Sequence, residues 1–306
     1  MRRDDIPASF IKFVQRVGQD FSLVQGLGGN CSVKSLDTMF VKSSGRRMRE
    51  ADRGAFFHEV RLTSDGNFAD GVSSAGTTPS IEVFLHASIP EKYVLHLHST
   101  SAIAALMQID DSDSNYEILE SHGIASLPYL RPGKDLLRGL NQQSSDARSG
   151  LLLANHGLVI SDNTVRGLKE KLIKIEEVLQ GKMVTLGHAS ATRLGKEFSV
   201  DEAKTIRWHM AHNWRVTPDH IVFLGVTPRP EFLAVENFDC PSAFLTALRS
   251  SGTLSSIELE HLEWYVMLAR MLGPRRELPT IDYKEAKSLI QWEPELRRKA
   301  MLSEPN

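Results

Sequence analysis

The chain has 306 residues, 41% hydrophobic and 24% charged, the make-up of an ordinary folded globular protein with one large core or two modest ones. Its 36 Lys and Arg against 38 Asp and Glu give a formal charge of −2, without the basic excess that phosphate-backbone binding demands, so nucleic acid is not expected as a partner. The two cysteines, Cys31 and Cys240, exclude a disulfide framework and a thiolate zinc site, which leaves nitrogen and oxygen ligands for any metal.

The first residues, MRRDDIPASFIKFVQRV, lack the apolar core of a signal peptide, and no run approaches a membrane span, so a cytoplasmic location and no membrane partner are expected. Ile6, Phe10, Phe13, Val14 and Val17 recur at helical spacing, and the turn GLGG follows at 26–29. CSVKSLDTMFVKSSG reads as two short strands around SLD, and RRMREADRGAFFHEVRLTSDGNF adds a further strand ending in the turn SDG. PSIEVFLHASI at 79–89 predicts a helix, with Pro79 early and Ile81, Phe84, Leu85 and Ile89 as its apolar stripe. The strand YVLHLH comes next, then a helix in STSAIAALMQ opened by a Ser/Thr cap. LLLANHGLVIS at 151–161 reads as a strand pair or one kinked buried strand, followed by a long helix over 163–187.

Beyond residue 190 the texture changes. ATRLGKEFS is linker-like, SVDEAKTIRWHMAHNW is helical, HIVFLG and EFLAVENF are expected to pair as strands, and the rest is mostly helix. The expected division is 1–190 and a mainly helical extension, 191–306.

Chemistry enters with YVLHLHS. Side chains alternate along a strand, so His96 and His98 face one side. A satisfied core histidine is the commoner fate of such a residue, and a metal site needs a third ligand. His188, His209, His212, His220 and His261 show no paired pattern and default to core or surface roles, whereas His156 sits between an apolar strand and a glycine that permits close backbone approach. Glu82 reads locally as a base, as a ligand, or as a solvated residue near a helix N-terminus paired with His86, and local signals favour the last. GLGGNCS is neither GxGxxG nor a P-loop, so no nucleotide is implied. The turn Lys42-Ser43-Ser44-Gly45 and the serine Ser80 would form an anion site with it if the fold gathers them.

Taken in order, GNCS, VKSSG, PSIE, HLH and NHG resemble the class II aldolase/adducin family over residues 5–190. The resemblance implies a three-layer α/β/α fold around a largely antiparallel sheet, with an α-rich C-terminal extension and assembly as a homotetramer. It implies a divalent metal, zinc or else manganese, on His96, His98 and His156, with Glu82 as the catalytic acid/base. Asn30, Ser32, Ser44, Gly45 and Ser80 match the family's substrate-phosphate site, and Lys42 adds a point charge suited to phosphate or carboxylate. Ile81 departs from the pattern, since phosphate-binding aldolases often carry a second serine in that slot.

The implied activity is a lyase of carbohydrate metabolism, breaking or forming a carbon–carbon bond of a small sugar phosphate or sugar acid by retro-aldol chemistry through a metal-stabilised enediolate. Epimerase, 3-oxo-acid decarboxylase and dehydratase use the same site and stay open. An adducin-like assembly protein is the alternative of another class, and retention of the three histidines and Glu82 argues against it. TPDHIVFLG and IQWEPELRRKAM are similar to the part of long class II aldolases that precedes a fused short-chain dehydrogenase, and no dehydrogenase segment lies within these residues, so hydride transfer is not expected.

Overall fold

A computed structural model describes residues 6–63, 68–69, 77–109, 114–142, 149–185, 199–273 and 276–300. Among the described residues, eight strands form one sheet: β1 (Asn30–Ser35), β2 (Thr38–Lys42), β3 (Phe57–Leu62), β4 (Phe68–Ala69), β5 (Tyr93–Leu97), β6 (Ile124–Leu127), β7 (Gly150–Leu153) and β8 (Gly157–Asp162). Their spatial order is β4-β3-β2-β1-β5-β8-β7-β6. Every pairing is antiparallel except β6 with β7, which gives the largely antiparallel sheet that the five motifs imply.

Strand alternation sorts the side chains into two covered faces. Cys31, Val33, Phe40, Tyr93, Leu95, Leu97, Leu158 and Ile160 join the main core, which is closed by α1 (Ala8–Gln19), α3 (Thr100–Gln108) and α6 (Val165–Thr185). Val94, Leu151, Leu153 and Val159 point the other way, against Leu85 of α2 (Val83–Ser88) and Leu136 of α5 (Lys134–Gln142). Met39 and Val41 complete that second face with Val83 and Ala87. The result is helices, sheet and helices in three layers. Another helix, α4 (Ser114–Ser121), leads into β6.

The described residues from 199 to 300 are mainly helical: α7 (Val200–His212), α8 (Pro218–Leu224), α9 (Pro241–Ser251), α10 (Ser256–Leu272), α11 (Tyr283–Ile290) and α12 (Glu293–Ala300). They share the main core, where Trp264, Tyr265 and Leu268 of α10 pack in one cluster with Ile103 of α3. Trp264 Nε1 also donates to Thr100 Oγ1 at 3.1 Å, which ties the two helices by a buried hydrogen bond.

Two local expectations are corrected. HIVFLG is not a strand but most of α8, because Thr217 caps the helix by accepting from His220 N–H and Pro218 supplies a preset φ at the first position. Its presumed partner forms a 3₁₀ turn at Phe232–Asn237, so the expected strand pair does not exist. The helix read from Pro79 starts at Val83 instead, because Pro79 bridges Ser43 and holds residues 79–82 against the end of β2. Ser99 caps α3 as expected, accepting from Ala102 N–H. The SDG turn, the ATRLGKEF segment, His188 and the division at 190 lie outside the described residues.

Candidate metal centre

The register of β1 against β5 sets Asn30 opposite His96. Alternation sends His96 to the α2 side of the sheet with Val94, and His98 follows just past the end of β5. His156 comes from the turn between β7 and β8, which needs two unusual backbone positions. Asn155 has φ +54°, a left-handed conformation that asparagine tolerates, and its side-chain amide donates to the carbonyls of Val216 at 3.0 Å and Pro279 at 3.1 Å. At Gly157 a Cβ would stand 2.0 Å from Leu97 O, so only glycine lets the turn approach the HLH strand.

Glu82 meets the histidines from the other side, at the turn preceding α2. Its Oε1 lies 3.1 Å from His96 Nε2 and 3.2 Å from His156 Nε2, while Oε2 accepts from Asn30 Nδ2 at 3.3 Å. The three imidazole centroids are 4.7, 5.1 and 5.3 Å apart, and one ligand atom from each of Glu82, His96, His98 and His156 falls within 4.8 Å of all the others. All four residues are buried.

The surroundings fix each ligand. His96 Nδ1 is 3.2 Å from Leu158 O, so that nitrogen donates to the carbonyl and Nε2 is the ring atom turned toward Glu82. His98 Nδ1 faces Asp219 Oδ2 at 3.5 Å, and Gly28 has no room for a Cβ, which would come within 2.6 Å of that ring nitrogen. Burial holds His98 at about 3, so it stays neutral, the form that binds metals. Burial alone would raise the Glu82 carboxyl, but the neighbouring His96 and His156 hold it well below the usual carboxylate range. Three imidazoles and one carboxylate, dry and convergent, are a donor set suited to zinc or a similar divalent ion. His96 Nε2, buried without a well-aligned hydrogen bond, agrees with a missing electrophile at that position.

Beside this cluster is a cleft of about 30 Å³. Lys42, Ser44, Gly45, Ser80, Glu82, His98 and His156 line it, so the fold gathers the separate turns read from the sequence. Lys42 is buried, donates to Leu27 O at 3.0 Å, and is lowered to about 8 by burial against the partial support of Glu82. Ser80 Oγ accepts from Glu82 N–H at 3.4 Å. Asn30 and His96 stand behind Glu82 rather than in the wall. Ser32 is elsewhere: its hydroxyl contacts His86 Nδ1 at 2.8 Å on the buried side of β1, which is also where the structural role expected of His86 is found.

Three charged wall residues come from the C-terminal helices and were not among the sequence candidates: Asp219 of α8, and Glu295 and Arg298 of α12. Arg298 Nη2 donates to Asp219 Oδ1 at 2.5 Å and pairs with Glu295 Oε2 at 2.8 Å. Burial raises Glu295 to about 7, whereas the Arg298 guanidinium holds buried Asp219 well below the usual range. A signal for Asp219 was present, since it is the one acid in the apolar run after Thr217-Pro218. Arg298 is hidden in the charged stretch ELRRKA.

The chain is 32% identical over 165 residues to the 3-oxo-tetronate 4-phosphate decarboxylase of Pectobacterium atrosepticum, covering 50% of this chain and 72% of that one. It is 31% identical over 122 residues to the protein of the same name from Escherichia coli K12, where the match takes in 36% of this chain and spans 57% of the relative's length. Among solved structures, the N-terminal class II aldolase domain of a conserved protein from Thermoplasma acidophilum aligns with a TM-score of 0.49 at 24% identity, covering 60% of this chain and 96% of that chain. The model of the family described as Class II Aldolase and Adducin N-terminal domain matches residues 10–183, which include all five motifs and all four convergent ligands. The chain is therefore a member of the class II aldolase and adducin N-terminal domain family.

Proposed function

We propose that this protein is a metal-dependent lyase acting on a carbon–carbon bond of a small polyhydroxylated acid or sugar phosphate. The observation that carries the reading is the convergence of Glu82, His96, His98 and His156, whose ligand atoms fit within 4.8 Å in a buried pocket. A protein serving only in assembly has no use for such a set, which is costly to bury unless it is filled.

His96, His98 and His156 would hold the ion with Glu82 beside them. When bound, it supplies Lewis acidity toward the oxygens of a carbonyl substrate. The remaining tasks fall to the chain itself. Asn30 fixes Oε2 of Glu82, so that Oε1 is the oxygen presented to the histidine cluster, and the carboxylate carries the proton from there. In its ionised form Glu82 takes the proton from a hydroxyl β to the carbonyl as the bond breaks, and in its acid form it returns one to the carbon left behind. Lys42, Ser44, Gly45 and Ser80 form the wall that orients the polar end of the substrate.

Decarboxylation of a 3-oxo acid is the form of this chemistry favoured by the names of the relatives. Loss of carbon dioxide leaves the same kind of carbanion, and only the protonation half of Glu82's cycle is needed. Retro-aldol cleavage is the second reading, favoured by the ionised state in which the histidines hold Glu82, since that half of the cycle needs a base. A screen of 3-oxo sugar acids and ketose phosphates with the zinc-loaded protein separates them by product, carbon dioxide or aldehyde. Glu82→Gln should lower turnover by about 10²- to 10⁴-fold on whichever class is active, and a fully active Glu82→Gln enzyme would remove Glu82 from the proposal.

A further inference from the structure

Lys42 and Arg298 are the two Lys or Arg side chains lining the cleft, and they approach it from unrelated parts of the chain, β2 and α12. Lys42 spends one donor on Leu27 O and keeps two ammonium hydrogens. Arg298 uses a single nitrogen, Nη2, for both Asp219 and Glu295. Its Nε is buried and has no hydrogen-bond partner. An arginine placed only to close an ion pair would present its two-nitrogen edge to one carboxylate. This one lines the cleft with a donor unused, and Ile81, which contributes no hydroxyl, lines the same cleft.

We propose that Arg298 and Lys42 together form the receptor for an oxyanion on the substrate, a phosphate or carboxylate group. The assignment rests on the reading of this cleft as the catalytic site and adds to it a second binding determinant, carried by the C-terminal helices outside the family-matched segment. At about 30 Å³ the cleft has room for about two waters, each needing about 10–15 Å³ of such space, and not for a substrate. A substrate therefore enters by taking the place of a group already there, and Glu295 is the one suited to exchange. It is an acid on Arg298 that the incoming oxyanion replaces like for like, while Asp219 keeps its hold on Nη2 and its contact with His98. With a divalent ion on the histidines, the positive charges of the pocket exceed those of Glu82 and Asp219, and an anionic ligand restores the balance.

Calorimetric titration of the zinc-loaded protein with inorganic phosphate and with acetate tests this, alongside the cobalt absorption spectrum of each variant. Arg298→Gln should bind the preferred anion about 10- to 100-fold more weakly than the unmodified protein, with Arg298→Lys between them. Phosphate binding better than acetate identifies a phosphorylated substrate, and the reverse a carboxylate. Equal affinities in the unmodified protein and Arg298→Gln, or no binding of either anion at millimolar concentration, would overturn the proposal. The metal reading is judged separately: a protein without cobalt ligand-field bands contradicts the histidine site, whereas an Arg298-dependent loss of anion affinity stands without it. Thermal unfolding of both variants checks that α12 is still in place, and Arg298→Lys keeps the test open if Arg298→Gln is unfolded.

Discussion

Asn30 Nδ2 donates to Glu82 Oε2 at 3.3 Å across 52 residues of sequence, and the other oxygen of the same carboxylate faces His96 and His156. The asparagine therefore sets which oxygen is turned to the histidines. Its own Oδ1 accepts from Cys31 N–H at 2.8 Å, so its amide cannot flip without breaking a buried bond. Asn30→Asp puts a second carboxylate against Glu82, and like charges disfavour ionisation. The acidic limb of the pH–rate profile is expected to move to higher pH, with metal content unchanged. A profile that does not move would show that Asn30 has no electrostatic hold on Glu82.

Lys42 titrates at about 8 because it is buried. Its charged form, the one that attracts an anion, is lost as pH rises through that value. The KM of an anionic substrate should accordingly rise above pH 8 while kcat changes less. Lys42→Met should show a KM that is already high at pH 7 and flat with pH. If the unmodified enzyme keeps a constant KM to pH 9.5, by about which point nearly all Lys42 would be neutral, the lysine does not touch the substrate.

Gly157 is the position where the NHG turn meets the HLH strand, with a Cβ 2.0 Å from Leu97 O. Gly157→Ala must push the turn away from β5, moving His156 from the other ligands. Overpacking of this kind costs about 1–3 kcal/mol, and the denaturant midpoint should fall accordingly. The same variant should lose metal affinity. Loss of stability with unchanged affinity would mean that the turn relaxes without displacing His156.

Several histidines are buried in the neutral form, which gives the protein an acid limit apart from its catalysis. Burial holds His86 at about 3 and His261 at about 4, and His220 lies well below the usual value between Trp214 and Tyr265, with no partner for either ring nitrogen among the described residues. Each takes up a proton on unfolding when the pH is between its folded value and about 6.5. The unfolded chain binds more protons in that window, so stability is intact above it and falls on acidification, by up to about 1.4 kcal/mol per pH unit for each group. His220→Phe removes one such proton and fills the same aromatic space. Its urea midpoint should fall less than that of the unmodified protein between pH 7 and pH 5, and an identical fall would show that His220 has a partner.

Much of the site was legible because its chemistry depends on short local patterns. HLH states its own geometry through the two-residue strand repeat, and the order of five motifs supplied the third histidine and Glu82. The central sheet followed from the same resemblance. What escaped depended on distant packing. HIVFLG carries no polar alternation, and an apolar run of that length fits a strand or a buried helix equally, with only Thr217-Pro218 to decide. Ser32 shares a face of β1 with Asn30, yet its hydroxyl is taken up by His86, a contact fixed by where α2 begins. Arg298 could not be distinguished from the other cations of a charged helix, because its burial comes from contacts with Asp219, 79 residues away.

The central claim is a single divalent metal site on His96, His98 and His156, and metal analysis tests it most directly. Purified protein, dialysed against zinc and then against buffer, should retain one equivalent per chain in the unmodified and Glu82→Gln forms, and none in His96→Ala at unchanged secondary structure. A folded unmodified protein that retains no zinc, manganese or cobalt, or a His96→Ala variant that retains a full equivalent, would contradict it.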